Sequence, residues 1–269
     1  MPELPEVETT CRGIAPYLRG VKILSVRVRQ PQLRWPVPAE VMGLRDMPVV
    51  GVRRRAKFVL IDLAQGQLLI HLGMSGSLRV LPVGTPAGKH DHVDVLLDSG
   101  QLLRLNDPRR FGAVLWSEQI DGHPLLGHLG PEPLQAGFDG QWLAARAAGR
   151  KQSVKTFIMD NRTVVGVGNI YAQESLFLAG IHPSRQAGRI SRERYIRLAE
   201  AIRTVLGRAI EAGGTTLRDF SRVDGQPGYF AQDLSVYGRA GQSCLICGTI
   251  LKGARHGQRT TCYCPQCQR

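Results

Sequence analysis

The chain has 269 residues, 43% of them hydrophobic, which is enough for two ordinary domains with buried cores. Its 35 Lys and Arg residues outnumber the 22 Asp and Glu residues, and the formal net charge is +13. A surface this basic favours a nucleic-acid partner over a protein that is basic for solubility alone. No apolar run approaches the length of a membrane-spanning helix and no signal peptide precedes the first helix. We therefore expect a cytoplasmic protein without membrane contact.

The first part of the chain combines one helix with many short strands. Residues 1–18 carry apolar side chains at helical spacing, and we expect this helix to kink or stop near Pro16. Eight alternating runs separated by turn signals follow: Lys22–Arg29, Val49–Arg53, Phe58–Leu63, Gln67–Leu72, Leu78–Leu81, Val93–Asp98, Gln101–Leu105 and Ala113–Ser117. Many short strands with regular turns predict a β-sandwich or a barrel.

The pattern becomes helical after a predicted linker at Gly130–Pro133. Four helices are predicted: Trp142–Ala148, Val154–Met159, Ile170–Ala179 and Arg192–Ala212. Ser191 can cap the last helix, and Gly213 with Gly214 can end it. Residues 213–243 have the composition of an irregular loop. The whole chain is therefore predicted to belong to the α+β class.

Five of the six cysteines lie within residues 244–267. Cys244 and Cys247 form one Cys-x2-Cys pair, and Cys264 and Cys267 form another after sixteen residues. This spacing predicts one structural Zn²⁺ held by four thiolates, with no open position for water. Cys262 breaks the paired spacing and is interpreted as a free thiol, although it could compete as a ligand.

Basic side chains occupy the segment between the two cysteine pairs. They are Lys252, Arg255, His256 and Arg259. A basic hairpin stapled by zinc is a common nucleic-acid finger, and the alternative is a solvated tail.

Pro2 and Glu3 form a possible reaction centre at the N-terminus. If Met1 is removed, Pro2 carries a free secondary amine, and such an amine can attack an aldehyde-level carbon to give an iminium ion. A helix start nearby disfavours the protonated amine, and Glu3 can move protons. The plainer alternative is that Pro2, Glu3 and Glu6 merely begin a helix.

Several turn-like motifs suggest contacts with nucleic acid. Gly166–Asn169 precedes a helix and can approach a phosphate, or it can be an ordinary capped helix start. Residues 72–76 and 106–112 present Met74 and Phe111, which can wedge into a base stack or can belong to the core. The run from Arg53 to Lys57 has the character of a solvated edge entering a strand. The motif around His90 is too weak to predict a metal, and His90 can contact phosphate or can belong to a surface turn.

Together these motifs closely resemble the bacterial formamidopyrimidine-DNA glycosylases, also called 8-oxoguanine DNA glycosylases. The resemblance runs from Met1–Glu6 to Cys264–Gln268 and includes residues 54–57, 71–76, 89–92, 107–112, 165–172 and 213–217. It implies an N-terminal β-sandwich with flanking helices, a helix–two-turn–helix domain and a C-terminal zinc-finger hairpin. The corresponding expected boundaries are 1–130, a linker at 131–135, 136–232 and 235–269.

The resemblance also implies catalytic roles. Pro2 would form a Schiff base with C1′ of the damaged nucleotide, and Glu3 would be the acid–base partner at the sugar. Lys57 would assist β-elimination and bind phosphate, and Arg259 would bind phosphate and assist δ-elimination. The enzyme would excise oxidised purines from duplex DNA and nick the strand, as a monomer on the bacterial nucleoid.

The remaining implied roles are contacts with damaged double-stranded DNA. Phosphate contacts are expected from His90, Arg150 and Asn169, and filling of the space behind the flipped base is expected from Met74, Arg109 and Phe111. Arg109 would face the orphaned cytosine, and the loop near residues 217–228 would cover the everted base.

Two alternatives remain open. An endonuclease VIII-type enzyme for oxidised pyrimidines begins with Met-Pro-Glu-Gly-Pro-Glu, whereas this chain has Leu4. A non-catalytic zinc-ribbon DNA-binding protein would need the basic surface but not Pro2 or Glu3.

Overall fold

The computed structural model describes residues 2–213, 234–256 and 258–269. These residues divide into two compact units, the first containing residues 2–127 and 212–213 and the second containing residues 128–211, 234–256 and 258–269. No helix in the described ranges is long and apolar enough to cross a membrane. Residues 217–228, where a lesion-covering loop is expected, lie outside the described residues.

The first unit contains two helices and all eight predicted strands. The helices are α1 (Leu4–Leu18) and α2 (Ala39–Gly43), and α2 is too short to have a periodic signature in the sequence. The strands are β1 (Lys22–Val28), β2 (Arg45–Arg55), β3 (Phe58–Leu63), β4 (Gln67–His71), β5 (Ser77–Pro82), β6 (Asp91–Leu97), β7 (Gln101–Asn106) and β8 (Ala113–Ser117). A 3-10 turn at Ile120–Gly122 follows β8.

The strands form one antiparallel arrangement in the order β5-β7-β6-β1-β2-β3-β4-β8. Apolar residues from both halves, such as Val95 and Leu103 on one side and Ile61 and Leu68 on the other, belong to a single buried core. Helix α1 packs on β2, β3 and β5, and α2 packs on β1 and β8, so each helix contacts both halves. The expected β-sandwich with flanking helices is confirmed.

Strand β2 is longer than the sequence predicted, because it changes partners part-way along. Its first residues pair with β1, with Pro48 opposite Lys22, and its later residues pair with β3. The register shifts between Val49 and Gly51. Proline and glycine weaken a strand prediction, but both are tolerated at an irregularity of this kind, where ladder bonding is interrupted.

Helix α1 continues past Pro16 to Leu18 and does not stop at the proline. Pro16 is exposed and lies in the last turn of the helix. The N–H that it lacks removes one backbone hydrogen bond near the end of the helix. Leu18, two residues later, is fully buried, and Arg19 N still donates to Ala15 O. Burial of the apolar stripe therefore holds the last turn in helical form.

The second unit is helical and carries the basic hairpin. Its helices are α3 (Gly140–Ala147), α4 (Val154–Met159), α5 (Asn169–Leu178) and α6 (Arg192–Glu211), with a 3-10 turn at Ala187–Arg189 before α6. The predicted hairpin is formed by β9 (Lys252–His256) and β10 (Arg259–Tyr263), which pair antiparallel. Helix α5 packs on α4, α6 and β10. The helical part and the zinc-finger hairpin are thus built around α5.

Candidate active site and nucleic-acid interface

Pro2 is buried immediately before α1, and Glu3 is the N-cap of this helix. The Glu3 carboxylate accepts a hydrogen bond from the backbone N–H of Glu6, and Glu6 Oε2 accepts from Glu3 N at 2.7 Å. The alternative that these N-terminal residues begin a helix is therefore correct as a description of the structure, since Glu3 caps α1. The same capping box holds Pro2 next to the positive end of the helix, where an ammonium ion is disfavoured.

Lys57 lies in the tight turn between β2 and β3, so the basic run both closes β2 and leads into the next strand, as expected. Ala56, the residue before it, has φ +54°, a left-handed conformation that needs support in a non-glycine residue. Arg54 supplies support by donating from Nη1 to Ala56 O at 2.9 Å and from Nε to Glu8 Oε2 at 3.0 Å. Only 8% of the Arg54 side chain is exposed, so the expectation of a solvated edge is wrong for this residue.

His71, at the end of β4, is a neighbour of this turn. Burial lowers the pKa of His71 from 6.5 to about 4, and the charges of Arg34 and Lys57 act in the same direction. Its Nδ1 accepts from Gly73 N at 3.0 Å, which requires an unprotonated nitrogen. The imidazole is therefore neutral at pH 7 and bonded to the loop that carries Met74. The sequence did not predict this role, because a single histidine in a predicted strand indicates neither burial nor a hydrogen-bond partner.

The three proposed wedge side chains lie on two loops at the ends of β4 and β7. Met74 is half-buried, Arg109 is exposed, and Phe111 is 46% exposed. The Arg109 guanidinium lies 5.2 Å from the centroid of the Phe111 ring, within range of a cation–π contact. The core alternative is therefore wrong for Phe111, whose ring is available to a partner.

In the second unit, Asn169 is the first residue of α5 and is held by Lys155. Lys155 Nζ donates to Asn169 Oδ1 at 2.6 Å and to Thr261 Oγ1 at 2.7 Å, which joins α4, α5 and β10. Gln173 continues the network by accepting from Cys262 N at 2.6 Å. Lys155 is 1% exposed and was missed from the sequence. The available sign was a single cation in a short, mostly apolar helix.

Arg259 begins β10 and is exposed. It borders an open cavity of about 440 Å³ that is also lined by Lys155, Met159 and Asp160, and its Nη1 lies 3.9 Å from Met159 Sδ. Two cations and one carboxylate leave this cavity with a positive charge. A phosphate-sized anion fits both the charge and the space.

The two other predicted phosphate contacts lie on separate units. His90 is half-buried in the turn before β6, and its carbonyl accepts from Asp107 N at 2.9 Å. Arg150 is exposed just beyond α3, and its carbonyl accepts from Gly188 N at 2.9 Å. Each residue thus has an anchored backbone.

The four predicted metal ligands come together at the base of the hairpin. Their Sγ atoms all lie within 4.8 Å of one another, with Cys244 to Cys267 at 4.0 Å and Cys247 to Cys264 at 3.5 Å. A zinc–sulfur bond of about 2.3 Å implies tetrahedral sulfurs roughly 3.8 Å apart. The donor set and its geometry fit one structural zinc ion. Cys262 points instead into an apolar cluster that includes Phe177 and Val236, and burial raises the pKa of its thiol.

Known proteins match every part of the chain. Residues 1–114 match the formamidopyrimidine-DNA glycosylase N-terminal domain, residues 129–221 the H2TH domain of the same enzymes, and residues 241–269 the zinc finger found in FPG and IleRS. The formamidopyrimidine-DNA glycosylase of Alcanivorax borkumensis is 69% identical over 269 residues, all of both chains. That of Edwardsiella ictaluri is 58% identical, again over all of both chains. The chain belongs to the formamidopyrimidine-DNA glycosylase family.

Solved structures of family members have the same fold. The MutM (FPG) protein of Thermus thermophilus is 36% identical with a TM-score of 0.90, covering 99% of this chain and 98% of its own. Lactococcus lactis Fpg, solved with DNA containing an abasic site, is 30% identical with a TM-score of 0.91, covering 99% of both chains. The resemblance seen in the sequence is confirmed, together with the DNA glycosylase class and the structural zinc.

Proposed function

We propose that this chain is a bifunctional DNA glycosylase and abasic-site lyase that removes oxidised purines, 8-oxoguanine and formamidopyrimidines, from duplex DNA. The observation that carries the proposal is Pro2, held immediately before α1 next to the capping carboxylate of Glu3. Family members supply the substrate class, since a Lactococcus lactis relative was solved with DNA containing Fapy-dG.

The reaction begins after Met1 is removed and Pro2 carries a free secondary amine. Its lone pair attacks C1′ of the damaged nucleotide, and the glycosidic electron pair leaves with the base. The Pro2 nitrogen then loses its proton, and the departing base takes one up. Glu3 donates a proton to the sugar ring oxygen as the ring opens, which leaves an iminium ion between Pro2 and C1′. Loss of a proton from C2′ then expels the 3′ phosphate, and a second elimination expels the 5′ phosphate.

Phosphate groups are held by cations of both units. Lys57 serves the β-elimination, and Arg259, beside its positive cavity, serves the δ-elimination. His90, Arg150 and Asn169 add backbone contacts. Lys57, which is in the same unit as Pro2, also disfavours a protonated Pro2, because a like charge lowers the pKa of an amine.

A base inside the duplex is out of reach, so the damaged nucleotide must be extruded, which costs a few kcal/mol. Met74, Arg109 and Phe111 offset that cost by filling the vacated space, and Arg109 reads the orphaned cytosine. The exposed ring of Phe111 and its contact with Arg109 suit this role.

Zinc held by Cys244, Cys247, Cys264 and Cys267 stabilises the hairpin that carries Arg259. When bound, it would cross-link the segment before β9 to the segment after β10 and would supply no Lewis acid, since four thiolates complete its coordination. We further propose that the protein acts as a monomer on bacterial nucleoid DNA, with a domain division at 1–130, 131–135, 136–232 and 235–269.

The first test is borohydride trapping on a duplex with 8-oxoguanine opposite cytosine. The native protein should form a covalent adduct, and a protein extended at its N-terminus should form none, because Pro2 then has an amide nitrogen. Adduct formation by the extended protein would rule out Pro2 as the nucleophile.

Glu3→Gln separates the two chemical steps. The amide oxygen can still accept from Glu6 N, so the helix start remains, but the carboxyl proton is lost. Excision of 8-oxoguanine should fall about 10²–10⁴-fold, the range of general acid–base catalysis. Strand cleavage at a preformed abasic site should remain appreciable. Equal loss on the two substrates would contradict the role of Glu3.

A further inference from the structure

Asp107, the residue after β7, is fully buried and its carboxylate joins two separate loops. We call residues 72–76 the Met74 loop and residues 107–112 the Arg109 loop. Asp107 Oδ1 accepts from Ser75 Oγ of the Met74 loop at 2.8 Å. Within the Arg109 loop, Oδ1 also accepts from Arg109 N at 3.3 Å, and Oδ2 accepts from Gly112 N at 2.7 Å. One side chain therefore sets the shape of its own loop and its distance from the other.

The backbone of Asp107 extends this anchoring to the turn that carries His90. Asp107 N donates to His90 O at 2.9 Å, and Asp107 O lies 2.8 Å from His92 Nε2, which donates to it. Arg110 N also donates to Asp107 O, at 3.2 Å. Three groups of proposed DNA contacts, on the Met74 loop, the Arg109 loop and the His90 turn, thus share one buried residue.

The two loops also touch through bare backbone. Gly73 has φ +65°, and a Cβ at this position would lie 2.4 Å from the backbone carbon of Phe111. A Cβ on Gly112 would lie 2.9 Å from the carbonyl oxygen of His71, the residue directly before the Met74 loop, and 3.0 Å from Asp107 Oδ2 within its own loop. These distances leave no room for a methyl group, so the loops can pack together only because both positions are glycine.

Without these bonds the exposed tips of the loops would have many conformations. Inserting a side chain into a base stack then carries the cost of ordering it, which a rigid loop avoids. A hydrogen bond to a buried carboxylate is among the stronger ones, because no water replaces a lost partner.

We infer that Asp107 is a positioning residue for base extrusion, which locks the Met74 loop to the Arg109 loop through Ser75. Met74, Arg109 and Phe111 then enter the duplex as one rigid wedge. The inference rests on the proposed function, which gives these three side chains their role. It adds that the Met74 loop and the Arg109 loop must be held together for efficient extrusion of the base.

The test is Ser75→Ala, which removes the one hydroxyl that bridges the loops and leaves every proposed DNA-contacting side chain intact. Single-turnover excision of 8-oxoguanine opposite cytosine should slow about tenfold, equivalent to about 1.4 kcal/mol. The rate of strand cleavage at an abasic site in single-stranded DNA should be unchanged, because without an opposite strand there is no gap in a duplex for the wedge side chains to fill.

The matched control is Ser117→Ala. Ser117 is also buried and also donates a 2.8 Å hydrogen bond, to Gln119 O. It lies at the opposite end of β8 from Ala113, the residue paired with His71. Its loss should leave excision unchanged. Equal slowing by both variants would mean a general loss of stability, and no slowing by Ser75→Ala would remove the coupling; either result overturns the inference.

A second measurement separates this inference from the proposed function. A duplex carrying 2-aminopurine opposite a tetrahydrofuran site becomes more fluorescent when a wedge unstacks the reporter base. The rise in fluorescence should be smaller with Ser75→Ala than with the native protein or Ser117→Ala. This comparison does not depend on catalysis, because a tetrahydrofuran site carries no base to excise. A native protein that excises nothing would defeat the proposed function, whereas an equal rise with all three proteins would defeat only the coupling.

Discussion

At the scale of single residues, a hydrogen bond at the site can depend on the protonation state of the side chain that accepts it. His71 is the clearest case, because its bond from Gly73 N exists only when Nδ1 is unprotonated. Burial and two neighbouring cations keep its pKa near 4. The loop that carries Met74 is therefore bonded to a group that must stay neutral.

This state predicts a loss of stability in acid. An unfolded histidine titrates near pH 6.5, and the folded pKa of His71 is about 4. Between these values only the unfolded chain binds the proton, so the free energy of unfolding should fall by up to about 1.4 kcal/mol per pH unit as the pH decreases. Denaturant unfolding of the native protein and His71→Gln, near neutral pH and near pH 4.5, measures this. An equally steep acid dependence in both proteins would contradict it.

At the scale of elements, the turn between β2 and β3 depends on helix α1. Arg54 joins Glu8 of the helix to the carbonyl of Ala56, directly before Lys57. The turn that presents Lys57 is thereby held against the helix that presents Pro2. We expect the relative positions of these two groups to be set by this bridge.

Arg54→Met tests the bridge, since methionine keeps an unbranched side chain of similar apolar character and loses the donors. Strand cleavage at a preformed abasic site should slow about fivefold, as expected for the loss of about 1 kcal/mol of hydrogen bonding. Arg53→Met is the matched control, because Arg53 is 45% exposed and pairs with Asp62. It removes the same charge from the adjacent position and should have little effect. A similar loss in both variants would point to charge and not to positioning.

At the scale of the whole molecule, both units contribute cations to a net charge of +13. If about six phosphates are neutralised on binding, log K should fall with log salt with a slope near −5. Binding of a tetrahydrofuran-containing duplex across a salt series measures the slope. Arg259→Ala should reduce its magnitude by about one.

Arg45→Ala is the control for this measurement, because Arg45 Nη1 already donates to the carbonyls of Met42 and Leu44. Its removal takes away one charge and should leave the slope unchanged. A slope near zero for the native protein would contradict electrostatic binding altogether.

Local patterns in the sequence were sufficient for most of the elements and for the metal. The apolar stripe of α1 lies within residues 4–18, the alternation of each strand within its own short run, and the four paired cysteines within residues 244–267. A period or a ligand spacing is a property of a short stretch of chain and is readable without knowing what packs against it. The family motifs added the proposed catalytic roles of Pro2 and Glu3, which are adjacent in the sequence and need no tertiary structure to bring them together.

Only the tertiary structure decided which residues work together. Ser75 meets Asp107 across 32 positions, Glu8 meets Arg54 across 46, and Lys155 meets Thr261 across 106. The change of partners along β2 and the lowered pKa of His71 were likewise decided by the tertiary structure. Hydrogen bonding, desolvation and charge interaction depend on distances that exist only once the chain has folded. The sequence by itself therefore determined the parts and their chemistry, and the fold determined how the parts are held and in which state of charge.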